Sequence, residues 1–396
     1  MRPKVLFVNE YGVLNGGERS FLVLLKRLQR DWNFHALIPR LKRSHDANLD
    51  HPGLPHGEDV ETELAVELRK LGIPIDDLQL YAPDGVRLMQ PEARSLLAEH
   101  LQKLQPDLVH CNSLAMSRLL GPVCNELQFP SVGYLRDIIK LSKRAMGDVN
   151  CIDQLIAVSE ATRQFHVSNG LDQDRVAVVY NGVELPAKQH AETNRSRLQL
   201  AQLGVQQRRV LLFVGQLGMR KGIDLLIEIF SGLADEFDDL GLLIVGQRDS
   251  TKQEAIDLES QVRSLSQRFA NRIHWLGRRD DVLDLMQVST LLLHPARQEP
   301  LGRVILEAAS VGLPVVSTRV GGTPEILTGQ EVQSFMAESG DVDAFVKLTR
   351  RLLVDDSLRV KCGSELREIA TSKFNPDQAA SRLGQIYRDT LSVRKT

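Results

Sequence analysis

The stretch HPARQEPLGRVILEAASVGLPVV, residues 294–316, decides how this chain is read. It begins at the end of a short apolar run, TLLLHPA (290–296), and passes through a polar turn, RQEPLG. An amphipathic segment from about Leu301 follows, and a second apolar run, PVV, closes it. Strand, turn, helix and strand in that order describe a βαβ unit of a parallel sheet. Ligands of such sheets bind beyond the carboxyl ends of the strands, so the turn occupies a binding position. Glu299 stands just before the predicted helix and Glu307 lies in its second turn. A helix start at Gly302 exposes backbone N–H groups and a positive dipole end, which suits a diphosphate. Glu307 lies too far along to cap those groups, but it can accept two hydrogen bonds from a diol such as a ribose. Glu299 can do the same for a sugar hydroxyl, and Arg303 adds a donor near the phosphates. The plainer alternative makes Glu299 a surface turn acid and Glu307 a helix acid paired locally.

The same grammar extends in both directions. The first half has apolar runs at KVLFVNE (4–10), NFHALIPR (33–40), DLVHCNS (107–113), PSVGYLR (130–136), QLIAVSE (154–160) and RVAVVYNG (175–182), with helical segments between them. A glycine turn (Gly12, Gly16, Gly17) precedes the first helix. Residues 183–208 are polar and read as a linker with a short leading helix. The pattern restarts with RVLLFVGQL (209–217), GLLIVGQ (241–247), RIHWLGR (272–278), TLLLHPA and PVVSTRV (314–320). Each half holds enough units for one doubly wound sheet. The segment from Pro376 carries an apolar stripe of Ala379, Ala380, Leu383, Ile386, Tyr387 and Leu391, as one helix would.

Two further strand ends carry chemistry. VGQLGMRKG (214–222) delivers Gln216, Arg220 and Lys221 in a glycine-rich turn before a helix. It is not a phosphate loop of the GxxxxGK[ST] type, and GxGxxG occurs nowhere, which argues against a dinucleotide fingerprint. A lysine there can neutralise a leaving diphosphate as a compact charge; otherwise it is a solvated side chain at a helix start. NGGE (15–18) places Gly16 and Gly17 where a backbone can approach a ligand closely. His110 and Asn112 end the strand DLVHCNS, as acceptor or donor contacts, the alternative being a satisfied histidine at a strand end.

Composition narrows the classes. The 396 residues suit two or three domains at about 150 residues each. Lys+Arg 49 against Asp+Glu 51 gives a net charge of −2, so no basic excess favours nucleic acid. Aromatics are 5%, too few for a base-stacking platform. A mean hydropathy of −0.17, with no apolar run of roughly 18 residues, argues against a membrane span. The start MRPKVLFVNEYG lacks the pattern of a signal peptide, which makes the cytoplasm the default expectation. The basic, partly apolar run IIKLSKRAM (138–146) leaves a peripheral membrane contact open beside a solvated helix face. Cys111, Cys124, Cys151 and Cys362 form no C-x-x-C pair and read mainly as small core residues. His45, His51 and His56 share a polar loop, a weak pattern for a metal. Asp341-Val342-Asp343 imitates a metal-binding DxD, but it follows Gly340 and opens a helix, so one aspartate reads as an N-cap.

Taken together, these segments resemble retaining glycosyltransferases of family 4, the glycosyl transferases group 1, over nearly the whole chain. The carriers are the Gly16-Gly17 segment, LIAVSEAT, VVYNGVE, VGQLGMRKG, LLIVGQ, the Glu299-to-Glu307 motif and VGGTPEIL. The resemblance implies the GT-B architecture: two Rossmann-like, doubly wound parallel-sheet domains facing a central cleft. The expected boundaries are residues 1–185, with a final helix 376–396 crossing back, and residues 186–375. It implies a nucleotide diphosphate-sugar co-substrate bound mainly by the second half, with no cofactor and no metal. Glu307 would hold the ribose, Glu299 the donor sugar, and Lys221 the leaving diphosphate. Leu301, Gly302, Arg303 and Val304 would contact phosphate and sugar, with Gln216, Arg220 and Arg278 also on the donor side. Gly16 and Gly17 would approach the donor from the first half, which would take a glycan, lipid-linked or small-molecule acceptor. This sequence departs from the family pattern in three places: Gln216 stands where an arginine is common, Arg136 where a histidine is common, and Leu301 where an aromatic is usual. Arg136 cannot act as a base at neutral pH, so it would bind phosphate or an acidic acceptor.

Overall fold

The computed structural model describes residues 2–42, 60–82, 86–186, 200–248 and 250–393. His45, His51 and His56 lie outside the described residues, as does much of the expected linker. Contacts divide the chain into two units, residues 1–182 with 376–396 and residues 183–375.

The first unit is built on β1 (Lys4–Val8), β2 (Asn33–Ile38), β5 (Ile75–Asp77), β6 (Leu108–Cys111), β7 (Ser131–Leu135), β8 (Gln154–Ala157) and β9 (Val176–Val178). Their order is β5-β2-β1-β6-β7-β8-β9, with every pairing parallel. A small antiparallel pair, β3 (Leu41–Lys42) and β4 (Val60–Glu61), lies outside it. Helices cover the sheet, so its strands are apolar throughout rather than alternating. Val5 to Val8 and Ser131 to Leu135 are buried at every position. The helix Pro376–Val393 lies against the helix Gly16–Leu28 and β7. Gly384 makes this fit, since a side-chain carbon there would stand 3.3 Å from Leu28.

The second unit carries β10 (Arg209–Val214), β11 (Leu240–Val245), β12 (Ile273–Gly277), β13 (Leu291–His294), β14 (Val315–Thr318) and β15 (Met336–Ala337). The order is β12-β11-β10-β13-β14-β15, again all parallel.

Strand order reverses between β1 and β6 in one unit and between β10 and β13 in the other. Connections leave these neighbouring strands in opposite directions and open a crevice at their carboxyl ends. Each unit therefore has one topologically favoured binding corner.

The observed strands are shorter than the apolar runs, because polar ends such as Asn9-Glu10 and Asn112 leave the ladder. The strands β3, β4, β5 and β15 leave no mark in the sequence, because at two or three residues they are too short to show a period. Gly16 and Gly17 occupy the first helical positions, with Asn15 as N-cap, rather than a turn. The helix expected near Leu301 begins at Arg303, because Gly302 turns the chain at φ +109. Asp341 caps the helix Val342–Val354 by accepting from the Ala344 N–H at 2.9 Å.

Candidate active site

In the second unit, the corner after β10 and the corner after β13 press together. Gly222 adopts φ +71, and a side-chain carbon there would lie 1.9 Å from the Pro295 carbonyl oxygen. Arg297 fastens the same junction. Its guanidinium donates to both oxygens of Asp224, at 2.7 and 2.6 Å, and to the Met219 carbonyl at 3.0 Å. Its backbone N–H donates to the Arg220 carbonyl at 2.9 Å. A forked guanidinium–carboxylate contact is geometrically selective, so it fixes the lysine-bearing turn against the glutamate-bearing one.

The consequence is a direct pair between Lys221 and Glu299. The Lys221 ammonium contacts Glu299 Oε2, with the two side chains only 14% and 7% exposed. His294, the last residue of β13, reaches the same oxygen through Nε2 at 2.9 Å and is itself buried. Burial alone would push the Glu299 carboxyl up. The Lys221 charge and the His294 hydrogen bond more than reverse that, and it titrates well below the usual carboxylate range. Burial depresses the His294 imidazole, opposed by Glu299 and assisted by the Lys221 and Arg220 charges. The Glu299 carbonyl accepts from the Gly322 N–H at 3.0 Å, which joins the GGTPE turn to the site. Thus Glu299 is not a surface turn acid.

Glu307 is partnered within its helix. Arg303 Nε donates to Glu307 Oε1 at 2.7 Å, an i,i+4 pair that remains partly exposed. Leu301, Gly302 and Val304 are buried at the start of that helix. Gly302 packs close to the site, since a side-chain carbon on it would stand 3.5 Å from Glu299 Cγ. Gln216 is half-buried beyond β10, while the Arg220 side chain is exposed. Arg278 follows β12, the edge strand, two strands away from the β10–β13 reversal.

The first unit has its own polar corner. Glu18 accepts from Asn9 Nδ2 at 3.1 Å, and Asn112 Nδ2 donates to Asn9 Oδ1 at 3.1 Å. Arg136 donates from Nε to the Asn112 carbonyl and from its second terminal nitrogen to Asn112 Oδ1, both at 3.0 Å. Its guanidinium stacks 3.9 Å over the Tyr134 ring and reaches Asn181 at 3.4 Å. Gly17 leaves room for it, because a side-chain carbon there would lie 3.1 Å from Arg136 Cδ. Asn112 is therefore a buried link between strands, held on both sides.

His110 requires a correction as an acceptor contact. It is completely buried, packed among Phe7, Phe21, Tyr134 and Tyr387, and bonded to the Tyr387 hydroxyl at 2.6 Å. Its side chain points into the core that ties the last helix to the sheet, because β6 alternates its faces and residue 110 takes the one facing Tyr387 of the helix Pro376–Val393. Burial, with Arg136 adding to it, holds its pKa well below the ordinary value.

Asn9, Glu18, Asn181, His294 and the Arg297–Asp224 fork were not singled out from the sequence. The available signal was position: Asn9 and His294 are polar groups closing apolar strand runs. Among the described residues, no group of three His, Cys, Asp or Glu side chains is arranged to hold a metal ion. No helix among them is long and apolar enough to cross a membrane.

Comparison with known proteins identifies the family. The family described as "Glycosyltransferase Family 4" matches residues 14–186, and "Glycosyl transferases group 1" matches residues 197–369. The lipopolysaccharide glucosyltransferase WaaG of Escherichia coli is 34% identical over 169 residues, which is 42% of this chain and 43% of that protein. The N-acetyl-α-D-glucosaminyl L-malate synthase of Bacillus anthracis is 28% identical over 183 residues, 46% of each chain. The chain thus spans about half the length of these curated relatives. Among solved structures, Anabaena HepE in complex with UDP and glucose superposes with a TM-score of 0.80 at 21% identity, over 98% of this chain and 100% of that one. Two parallel-sheet units of this order, each with its reversal corner, are the GT-B fold, and the chain belongs to glycosyltransferase family 4, the glycosyl transferases group 1.

Proposed function

We propose that this protein transfers a sugar from a nucleotide diphosphate-sugar to an acceptor hydroxyl with retention of anomeric configuration. The observation that carries the reading is the Lys221–Glu299 pair at the strand reversal of the second unit. Lys221 offers a positive charge beside the helix start at Gly302–Arg303, where a diphosphate would meet both an ammonium and a helix dipole. Glu299 offers a carboxylate to the donor sugar hydroxyls, and Glu307 one to the ribose. The bond from the anomeric carbon to the phosphate oxygen breaks as the bond to the acceptor oxygen forms on the same face. The acceptor proton passes to the leaving phosphate oxygen, so no protein base is required. Catalysis then consists of orientation and stabilisation of the developing diphosphate charge. The donor class rests on the family and on the UDP-glucose carried by a structural neighbour. The acceptor is a glycan, a lipid-linked saccharide or a small molecule, and the protein acts without metal in the cytoplasm.

A second reading has its own support. Arg136 is engaged by Asn112 and Tyr134, and Gln216 replaces a cation, which together favour a donor-binding protein without turnover. Both readings meet one test. UDP release from UDP-glucose and transfer to an acceptor panel are measured for the wild type, Glu299→Ala and Lys221→Ala. Loss of each group is expected to lower the rate about 10²- to 10³-fold, with NMR showing a retained anomer. Donor binding without any transfer supports the second reading, and unchanged rates in both variants overturn the first.

A further inference from the structure

We infer that His294 is a positioning residue for Glu299, donating from Nε2–H to Oε2 and leaving Oε1 as the oxygen presented to the donor sugar. The inference rests on the donor reading above and deepens it.

Three observations converge. Lys221 and His294 both contact Oε2 of Glu299, and among the described residues no hydrogen bond falls on Oε1. Glu299 as a whole is buried, with 7% of its side-chain surface left exposed. Among the described residues the carboxylate is thus held by one oxygen and not by the other. Finally, His294 Nδ1 is buried with no hydrogen-bond partner.

The tautomer follows from this arrangement. An ionised carboxylate only accepts, so the ring nitrogen facing it must carry the proton. A protonated Nδ1 would then be a buried cation's donor without an acceptor, which is costly. The imidazole is therefore neutral, with hydrogen on Nε2 and a bare lone pair on Nδ1. The charged groups facing this pair are Lys221 and Arg220, both from the turn after β10, and both oppose a charge on the ring.

The role is distinct from that of Lys221. An ammonium on a flexible stem attracts the carboxylate from any angle, and it must also serve the diphosphate when donor arrives. The imidazole at the end of β13 is fixed by the strand. The His294 carbonyl accepts from the Ser317 hydroxyl at 3.2 Å, which anchors the residue to β14. When Lys221 turns toward phosphate, His294 keeps Glu299 ionised and pointing the same way.

The experiment uses the whole protein with two probes, UDP and UDP-glucose, in wild type, His294→Leu and His294→Gln, each checked for folding by its thermal transition. Calorimetry is expected to show UDP bound equally by all three. UDP-glucose should bind about tenfold more weakly to His294→Leu, with substantial recovery in His294→Gln, since one hydrogen bond to a charged group is removed and then partly restored. The acid limb of UDP-glucose binding should move toward neutral pH in His294→Leu, because the bond that favours the ionised carboxyl is gone. Independently of any ligand, side-chain nitrogen NMR at pH 7 should show one histidine as an Nε2–H tautomer whose signal vanishes in His294→Gln. An Nδ1–H or doubly protonated ring overturns the inference, as does unchanged UDP-glucose binding with an unmoved acid limb in His294→Leu. If the wild type binds neither probe, a uridine donor is excluded, and the tautomer alone decides whether His294 holds Glu299.

Discussion

The two reversal corners solve one electrostatic problem in different ways. In the second unit, Lys221 and Glu299 meet directly, with His294 on the same carboxylate oxygen. In the first unit, a cation and an anion also face the strand ends, but Arg136 and Glu18 are joined through two amides, Asn112 and Asn9. A direct pair concentrates the field at one point, where a polar ligand can compete for it. A chain of amides distributes it, since each side chain donates at one end and accepts at the other. Such a relay orders three strand ends at once and is costly to interrupt anywhere. The comparison suggests a ligand-responsive corner and a scaffold corner within one fold.

The largest expected effect separates them by stability. Lys221→Met leaves Glu299 buried without its cation and should cost about 3–5 kcal/mol, the range for breaking a buried pair from one side. Adding Glu299→Gln should restore much of that loss, which chemical denaturation of the single and double variants will measure. If Lys221→Met is neutral, the pair is not the tightly held feature described.

Next in size, Asn112→Ala strands Asn9 and Arg136 and should cost about 1–3 kcal/mol. Because the relay is continuous, Asn9→Ala should cost a similar amount, and the double variant less than the sum, as a double-mutant cycle reads directly. Strict additivity would show that the amides act separately.

The smallest effect is common to both units. His110 and His294 are each held below the ordinary value of 6.5, chiefly by burial. In that situation the unfolded chain binds more protons as pH falls below about 6.5. Stability is then complete above that value and is lost progressively on acidification. Glu299 adds a loss of the same sign lower down, as pH falls below its ordinary 4.5 toward its depressed value. Thermal transitions between pH 7 and 5 should fall, and Tyr387→Phe, which removes the His110 partner, should alter the slope while His294→Gln lessens it. A flat profile would exclude two buried neutral imidazoles.

Several parts of this were legible in the chain itself. Continuous apolar runs such as LLFV at 211–214 and LLIV at 242–245 announce strands covered on both faces. Glycine and charge placement after them marks the strand ends, so Glu299 and Lys221 can be singled out from the sequence as strand-end residues. His110 could not be assigned correctly, because a histidine ending a strand looks the same whether it turns toward solvent or into a core. Its partner, Tyr387, lies 277 residues away.

What the sequence determined alone was local: the period of the apolar residues, the turns that interrupt them, and which charges follow which strand. Those depend on neighbours a few positions apart, and the chain records them directly. Only tertiary structure decided that the turns after β10 and β13 share one corner, that Arg297 clamps them, and that His294 and Lys221 take the same oxygen of Glu299. Those facts depend on strand order, and strand order arises from long-range packing that brings together side chains separated by dozens of residues.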